Sequence, residues 1–123
     1  KEGVIEVGIP GYSTCLHGAM CFASREIVLA LLDAGADIYT SDIMGNDPLM
    51  GACLVGRLDN VKTWFTRFEN WKVDKQNTRL GSTALHIAVY MGPKRLDLVQ
   101  YLVEEKKADI HIPNKCNGTC EIM

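Results

Sequence analysis

Residues 81–92 read Gly81-Ser82-Thr83-Ala84-Leu85-His86-Ile87-Ala88-Val89-Tyr90-Met91-Gly92, and this stretch decides the fold because it recurs. Thr14-Cys15-Leu16-His17 precedes Ala19 in the same register, and Asp47-Pro48-Leu49-Met50 precedes Ala52. Starts at positions 14, 47 and 83 are separated by 33 and 36 residues. Self-similarity at such a period marks a supersecondary unit that cannot bury its apolar face alone, so each copy needs neighbours to stack against.

The repeated stretch resembles the T-P-L-H-x-A signature that opens the first of two antiparallel helices in an ankyrin repeat. Thr83, Leu85, His86 and Ala88 fill the signature positions, and Ala84 replaces the usual Pro. Gly35-Ala36-Asp37-Ile38 is similar to the family's G-A-D-V turn. The third repeat reaches Ala108-Asp109-Ile110 after small insertions around Pro93-Lys94 and Lys106-Lys107. The middle repeat departs most, with Phe68-Glu69-Asn70-Trp71-Lys72 where G-A-D would stand.

The resemblance implies an all-α, ankyrin-repeat solenoid of stacked helix-turn-helix units joined by short hairpin connections. It covers residues 1–123 as a single domain, with repeats at about 11–41, 42–76 and 77–113. Helix pairs are expected near 14–21 and 25–34, 47–54 and 58–68, and 83–91 and 95–106. Partial repeats are expected at both ends. Ile5-Glu6-Val7 leading to Gly11 mirrors Ile38-Tyr39-Thr40 leading to Gly45, and Gly118-Thr119-Cys120 echoes Gly81-Ser82-Thr83. Neither end supplies the polar outer face of a terminal repeat, so the expectation is a piece of a longer array or one capped by other subunits.

Composition narrows the function. A net charge of −2 and a pI near 5.9 give no electrostatic case for nucleic-acid binding or for a bilayer surface. No apolar run approaches the roughly 18 residues of a membrane span, so direct membrane insertion is not expected. The cysteines Cys15, Cys21, Cys53, Cys116 and Cys120 are odd in number and lack C-x-x-C spacing. That pattern points to an intracellular, reducing compartment without specifying an organelle. Cys15 and Cys53 are expected as small apolar fillers of the first helices. Asn117-Gly118-Thr119 matches a glycosylation sequon by chance.

Helical spacing gives the second helix of each repeat one apolar stripe: Ile27, Val28, Leu31 and Leu32; then Val61, Trp64, Phe65 and Phe68; then Leu98, Val99, Tyr101 and Leu102. Arg25, Glu26, Lys62, Arg67, Arg95, Asp97, Glu104 and Glu105 fall opposite, as a solvated convex surface. Ala19, Ala52 and Ala88 let the first helices of adjacent repeats approach closely. Trp64 reads as core, whereas Trp71 in the irregular loop is left open as a binding residue.

Chemistry finds no support. His17 and His86 hold the signature position, where the resemblance implies a hydrogen bond to neighbouring backbone that ties repeats together. Cys116 and Cys120 could form half a zinc site, but no second Cys or His pair completes it. There is no phosphate loop and no nucleophile arrangement that folding would assemble. No catalytic residue, metal or cofactor is expected, and the chain is read as a non-enzyme.

What the resemblance implies instead is a protein partner, or a larger protein complex, held on the concave side. The helix positions that would face it are Cys21 and Phe22, Leu54 and Val55, and Tyr90 and Met91. The hairpin-tip positions are Ile43 and Met44; Thr78, Arg79 and Leu80; and Lys115, Cys116 and Asn117. Phe22, Val55, Tyr90 and Met91 would form an apolar ladder rimmed by Ile43, Met44 and Leu80, and aromatic and Met side chains are typical binding anchors. The function expected is a non-catalytic protein–protein interaction scaffold, and the apolar positions lean toward a structural subunit of a larger assembly. The alternative is a regulatory ankyrin region belonging to a larger enzyme or channel.

Overall fold

Four of the helix starts follow from one short side chain each. Thr14, Ser24, Asp47 and Thr83 stand in extended backbone and accept a hydrogen bond from the amide three residues on, satisfying a donor the helix itself leaves unpaired. Pro48 adds a pre-set φ in the first turn after Asp47. The resulting helices are α1 (Cys15–Phe22), α2 (Arg25–Asp33), α3 (Pro48–Val55), α4 (Leu58–Arg67) and α5 (Ala84–Tyr90), followed by α6 (Leu96–Gln100). The computed structural model describes residues 14–115. The partial repeats expected at both ends, and Cys116, Asn117 and Cys120, lie outside the described residues.

The described residues are helical without strands. First helices stack in one layer, α1 on α3 and α3 on α5, and α2 packs on α4 in a second layer. Ala52 and Ala88, wholly buried, keep the inner layer close, and Gly51 lies where a Cβ would stand 3.1 Å from the Cys21 sulfur and the His17 ring. Leu16, Met20, Val28, Leu49, Met50, Val61, Trp64, Leu85, Leu98 and Leu102 fill the space between layers.

The first five helices lie within a residue or two of their expected positions, but the sixth is not one helix. A 3-10 turn at Pro93–Arg95 leads into α6, which ends in a π-helical turn at Tyr101–Glu105. These are where the two insertions fall. An extra residue in a helix whose apolar face is pinned is absorbed by widening one turn, and Leu98 and Leu102 stay buried on either side of the wide turn.

Helix ends explain the two A-D turns. After α2, Gly35 has φ of +90°, its amide bonds Leu32 O at 3.0 Å and the Ala36 amide bonds Leu31 O at 3.1 Å. In the third repeat Lys107 takes the same place at φ of +57°, with Ala108 donating to Leu102 O at 2.9 Å. The middle repeat closes differently. Trp71 meets Trp64 edge-on at 5.2 Å and stacks on Tyr39 at 5.8 Å, while Lys75 Nζ lies 5.0 Å over the Trp71 ring and 3.2 Å from Asp47 Oδ2. Trp71 is thus half-buried packing, and Trp64 is core.

Three expectations need correcting. Ile27 is exposed rather than part of the α2 stripe. Arg25 and Leu29 line the groove against α4, and Ile27, two residues from each and so about 200° round the helix, turns away. Cys15 is exposed, because it is the first residue of α1 and Leu16 takes the inward position, whereas Cys53 is the buried filler. Arg95 is not on a solvated face. Its Nη2 donates to Leu54 O at 3.3 Å, and a Cβ at Gly56 would lie 2.6 Å from its guanidinium carbon.

Candidate functional site

Hairpin tips and first helices meet in one cleft, of about 360 Å³, and short polar side chains build it. Asp42 Oδ1 accepts from the amides of Met44 at 2.8 Å and Asn46 at 3.0 Å, fixing the first tip. Asn77 Oδ1 does the same for Leu80 at 3.1 Å and Ser82 at 3.0 Å in the second. Buried Asn46 and Asn77 then link the two hairpins through an Nδ2–Oδ1 bond of 2.8 Å. The tips are therefore held side by side, with Met44 and Leu80 on the cleft wall.

The opposite wall is helical. Leu54 of α3 and Ile87 and Tyr90 of α5 line it, with Met91 just beyond the α5 end. Tyr90 is 77% exposed, although five of the seven α5 residues are buried, because the last residue of the helix projects past the packing against α3. The floor carries Asn46, Asn77, Ser82 and His86.

Of the residues expected to face a partner, the cleft brings together Met44, Leu54, Leu80, Tyr90 and Met91. Phe22 and Ile43 are exposed outside it, Val55 is half-buried at the end of α3, and Arg79 and Thr78 are exposed on the second tip. Arg79 reaches back to Ile43 O at 3.5 Å, and Lys115 Nζ reaches Thr78 O at 3.3 Å. Cys21 does not belong to this surface. It is fully buried, packed where α1 meets Gly51 of α3, because the inward turn of α1 runs on from Met20 through Cys21.

The signature histidines differ. His17 Nε2 lies 2.8 Å from Asn46 O, joining the first repeat to the hairpin before the second. His86 instead closes on its own helix start: its Nδ1 accepts from the Thr83 amide at 3.0 Å, while Thr83 Oγ1 accepts from the His86 amide. The inter-repeat ties that sequence reading missed are Arg57 and Asn60. Arg57 Nη2 donates to Ala23 O at 2.8 Å and to Asp59 Oδ2 at 3.0 Å, and Asn60 Nδ2 reaches the carbonyls of Ala19, Met20 and Ala23. Those carbonyls lie at the C-terminal end of α1, where the helix runs out of amides to pair with them; Ala19 O also accepts the Ala23 amide at 2.8 Å.

Electrostatics offer little reactive chemistry. Burial pushes the Cys53 thiol well above its ordinary range, and the nearby Asp47 charge adds to this, so it is a protonated core side chain. Burial likewise raises Tyr101, with a smaller push from Glu105. Among the described residues no group of His, Cys, Asp and Glu is placed to hold a metal ion, and no helix is long and apolar enough to cross a membrane.

Comparison with known proteins agrees with this architecture. A family model described as ankyrin repeats, in three copies, matches residues 16–114. The chain is 34% identical over 99 residues to E3 ubiquitin-protein ligase XBAT33 of Arabidopsis thaliana, covering 78% of this chain and 19% of that protein. It is 35% identical over 106 residues to the probable 26S proteasome regulatory subunit p28 of Saccharomyces cerevisiae, covering 83% of this chain and 44% of that one. The chain thus spans less than half the length of each of these relatives.

Proposed function

This chain belongs to the ankyrin repeat family, and from that premise we propose that it is a non-catalytic protein–protein interaction scaffold holding a partner on its concave face. The observation that carries the reading is the cleft itself. Met44 and Leu80 from two hairpin tips, and Leu54, Tyr90 and Met91 from two helices, converge on it from four places in the chain. Apolar and aromatic side chains gathered at a rigid, hydrogen-bonded groove suit the anchors of a protein interface. Phe22, Val55, Ile43 and Arg79 extend the same face toward its edges.

A structural subunit of a larger assembly is the version favoured, since a relative named as a proteasome regulatory subunit matches most of this chain. The second reading, an ankyrin region serving a larger enzyme, is supported by the relative named as a ubiquitin ligase, of which the match covers 19%. Buried Cys53, a free thiol, suits a reducing, intracellular setting for either.

Site-specific photo-crosslinking tests the face. A benzophenone amino acid at Tyr90 should capture the partner in cells, and the same group at Lys62 on α4 should not. Crosslinks from Lys62 alone would place the partner on the second-helix layer and defeat the proposal.

A further inference from the structure

Three hydrogen-bond donors around the cleft lack a matching anion. His86 is 1% exposed, lies on the cleft floor and has no partner for Nε2. Because Nδ1 accepts the Thr83 amide at 3.0 Å, it carries no proton, and the ring proton sits on Nε2. In the first repeat the corresponding nitrogen, on His17, already meets Asn46 O at 2.8 Å. Arg79 and Lys115 are the other two. Both are exposed beside the Met44–Leu80 wall, and among the described residues each touches only a backbone carbonyl, at 3.5 Å and 3.3 Å. Asp42, the one carboxylate in tip residues 42–46 and 77–81, is turned onto the amides of Met44 and Asn46.

We propose that this cleft recognises a protein segment pairing a large apolar side chain with a neighbouring acidic residue. The apolar group enters between Leu80 and the Tyr90–Met91 wall. The carboxylate lies against Arg79 and Lys115, and a carbonyl or carboxyl oxygen of the segment accepts from His86 Nε2. Apolar walls alone would take any greasy segment. A rim of cations and a buried, unmet N–H select for an acceptor-rich one, since charge complementarity sets specificity and leaving a buried donor unpaired is costly. This rests on the reading of the face as an interaction surface and adds what the partner must carry.

The test is selection from a random peptide display library on the immobilised full chain, followed by anisotropy measurements on the enriched peptides. Enriched sequences should place Asp or Glu beside Leu, Met, Phe or Trp. Their binding should weaken as salt is raised. It should fall by about tenfold or more in the Arg79→Glu/Lys115→Glu variant, whose fold is checked by its melt. The imidazole Nε2 resonance of His86 should shift on binding. Enriched peptides without acidic bias, an unmoved Nε2 resonance, or charge reversal changing affinity by less than about twofold would overturn the inference. So would the absence of any enriched peptide. If those results came with binding abolished by Tyr90→Ala, the interaction face would stand and only the acidic partner would fall. Binding indifferent to both Tyr90→Ala and Met91→Ala would remove the face itself.

Discussion

Asn60 is wholly buried, and its amide is the point where the second repeat grips the first. Nδ2 donates toward Ala19, Met20 and Ala23 carbonyls at 3.4, 3.1 and 2.9 Å. Asn60→Ala should therefore cost about 1–3 kcal/mol, chiefly by taking the partner from the Met20 carbonyl, since Ala19 O keeps the Ala23 amide and Ala23 O keeps Arg57 Nη2. A urea midpoint within error of the parent would show that these bonds carry nothing. Asp59 supplies a weaker, pH-dependent term. A hydrogen bond from Arg57 holds its carboxyl below the usual carboxylate range, against some burial that raises it. A depressed folded value means the contribution is present above about pH 4 and is lost as acid protonates the group. With Asp59 more than half exposed the effect is small, and Asp59→Asn should slightly flatten the acid limb of a stability profile. Neither Arg57, Asn60 nor Arg95 was legible as an inter-repeat tie. A polar residue in a helical pattern reads as solvent-facing, and only the offset of the next repeat decides that it meets a carbonyl instead.

Helix ends show where a local rule bends to keep the stack in register. Gly35 and Lys107 occupy the same left-handed position after their helices, yet only glycine adopts it freely. Lys107→Gly should raise stability by about 0.5–1 kcal/mol, the left-handed cost relieved less the extra entropy of glycine in the unfolded chain. A lower melting temperature would mean that the Lys107 side chain makes a contact worth more than the strain. Gly56 gives the opposite case. It caps α3 at φ of +90°, and the Arg95 guanidinium fills the space a Cβ would need, so Gly56→Ala should destabilise by about 1–3 kcal/mol. The helices α1 to α5 were legible because Thr, Ser, Asp and Pro mark the starts of all but α4, and Leu, Ala and Val keep their period. The break of the last helix into 3-10, α and π turns was not. Pro93 and the paired Lys106-Lys107 show that residues were inserted, but which turn widens depends on pinning Leu98 and Leu102 in the core.

Across the whole molecule the repeats divide their side chains between stacking and display, and α5 contains both within one helix. Leu85 is 1% exposed and lies in the layer shared with α3, whereas Tyr90, five residues on, is 77% exposed at the cleft. The recurring signature found Leu85 without difficulty. Tyr90 and Met91 could be placed only by the family's pattern, and the same pattern put Cys21 on the surface when it is core. Sequence separated the tips from the helices but not the floor between them, because Asn46, Asn77 and His86 become neighbours only once two hairpins pack. The division has a measurable consequence. Leu85→Ala should cost about 2–5 kcal/mol of stability, since the cavity lies between repeats that cannot collapse independently. Tyr90→Ala should change stability by no more than about 0.5 kcal/mol, yet weaken partner binding by on the order of 2 kcal/mol. Paired melting and binding measurements on both variants decide the matter. Were Tyr90→Ala to unfold the chain, its ring would belong to the stack, and the cleft would be a gap in packing rather than a surface shaped for another protein.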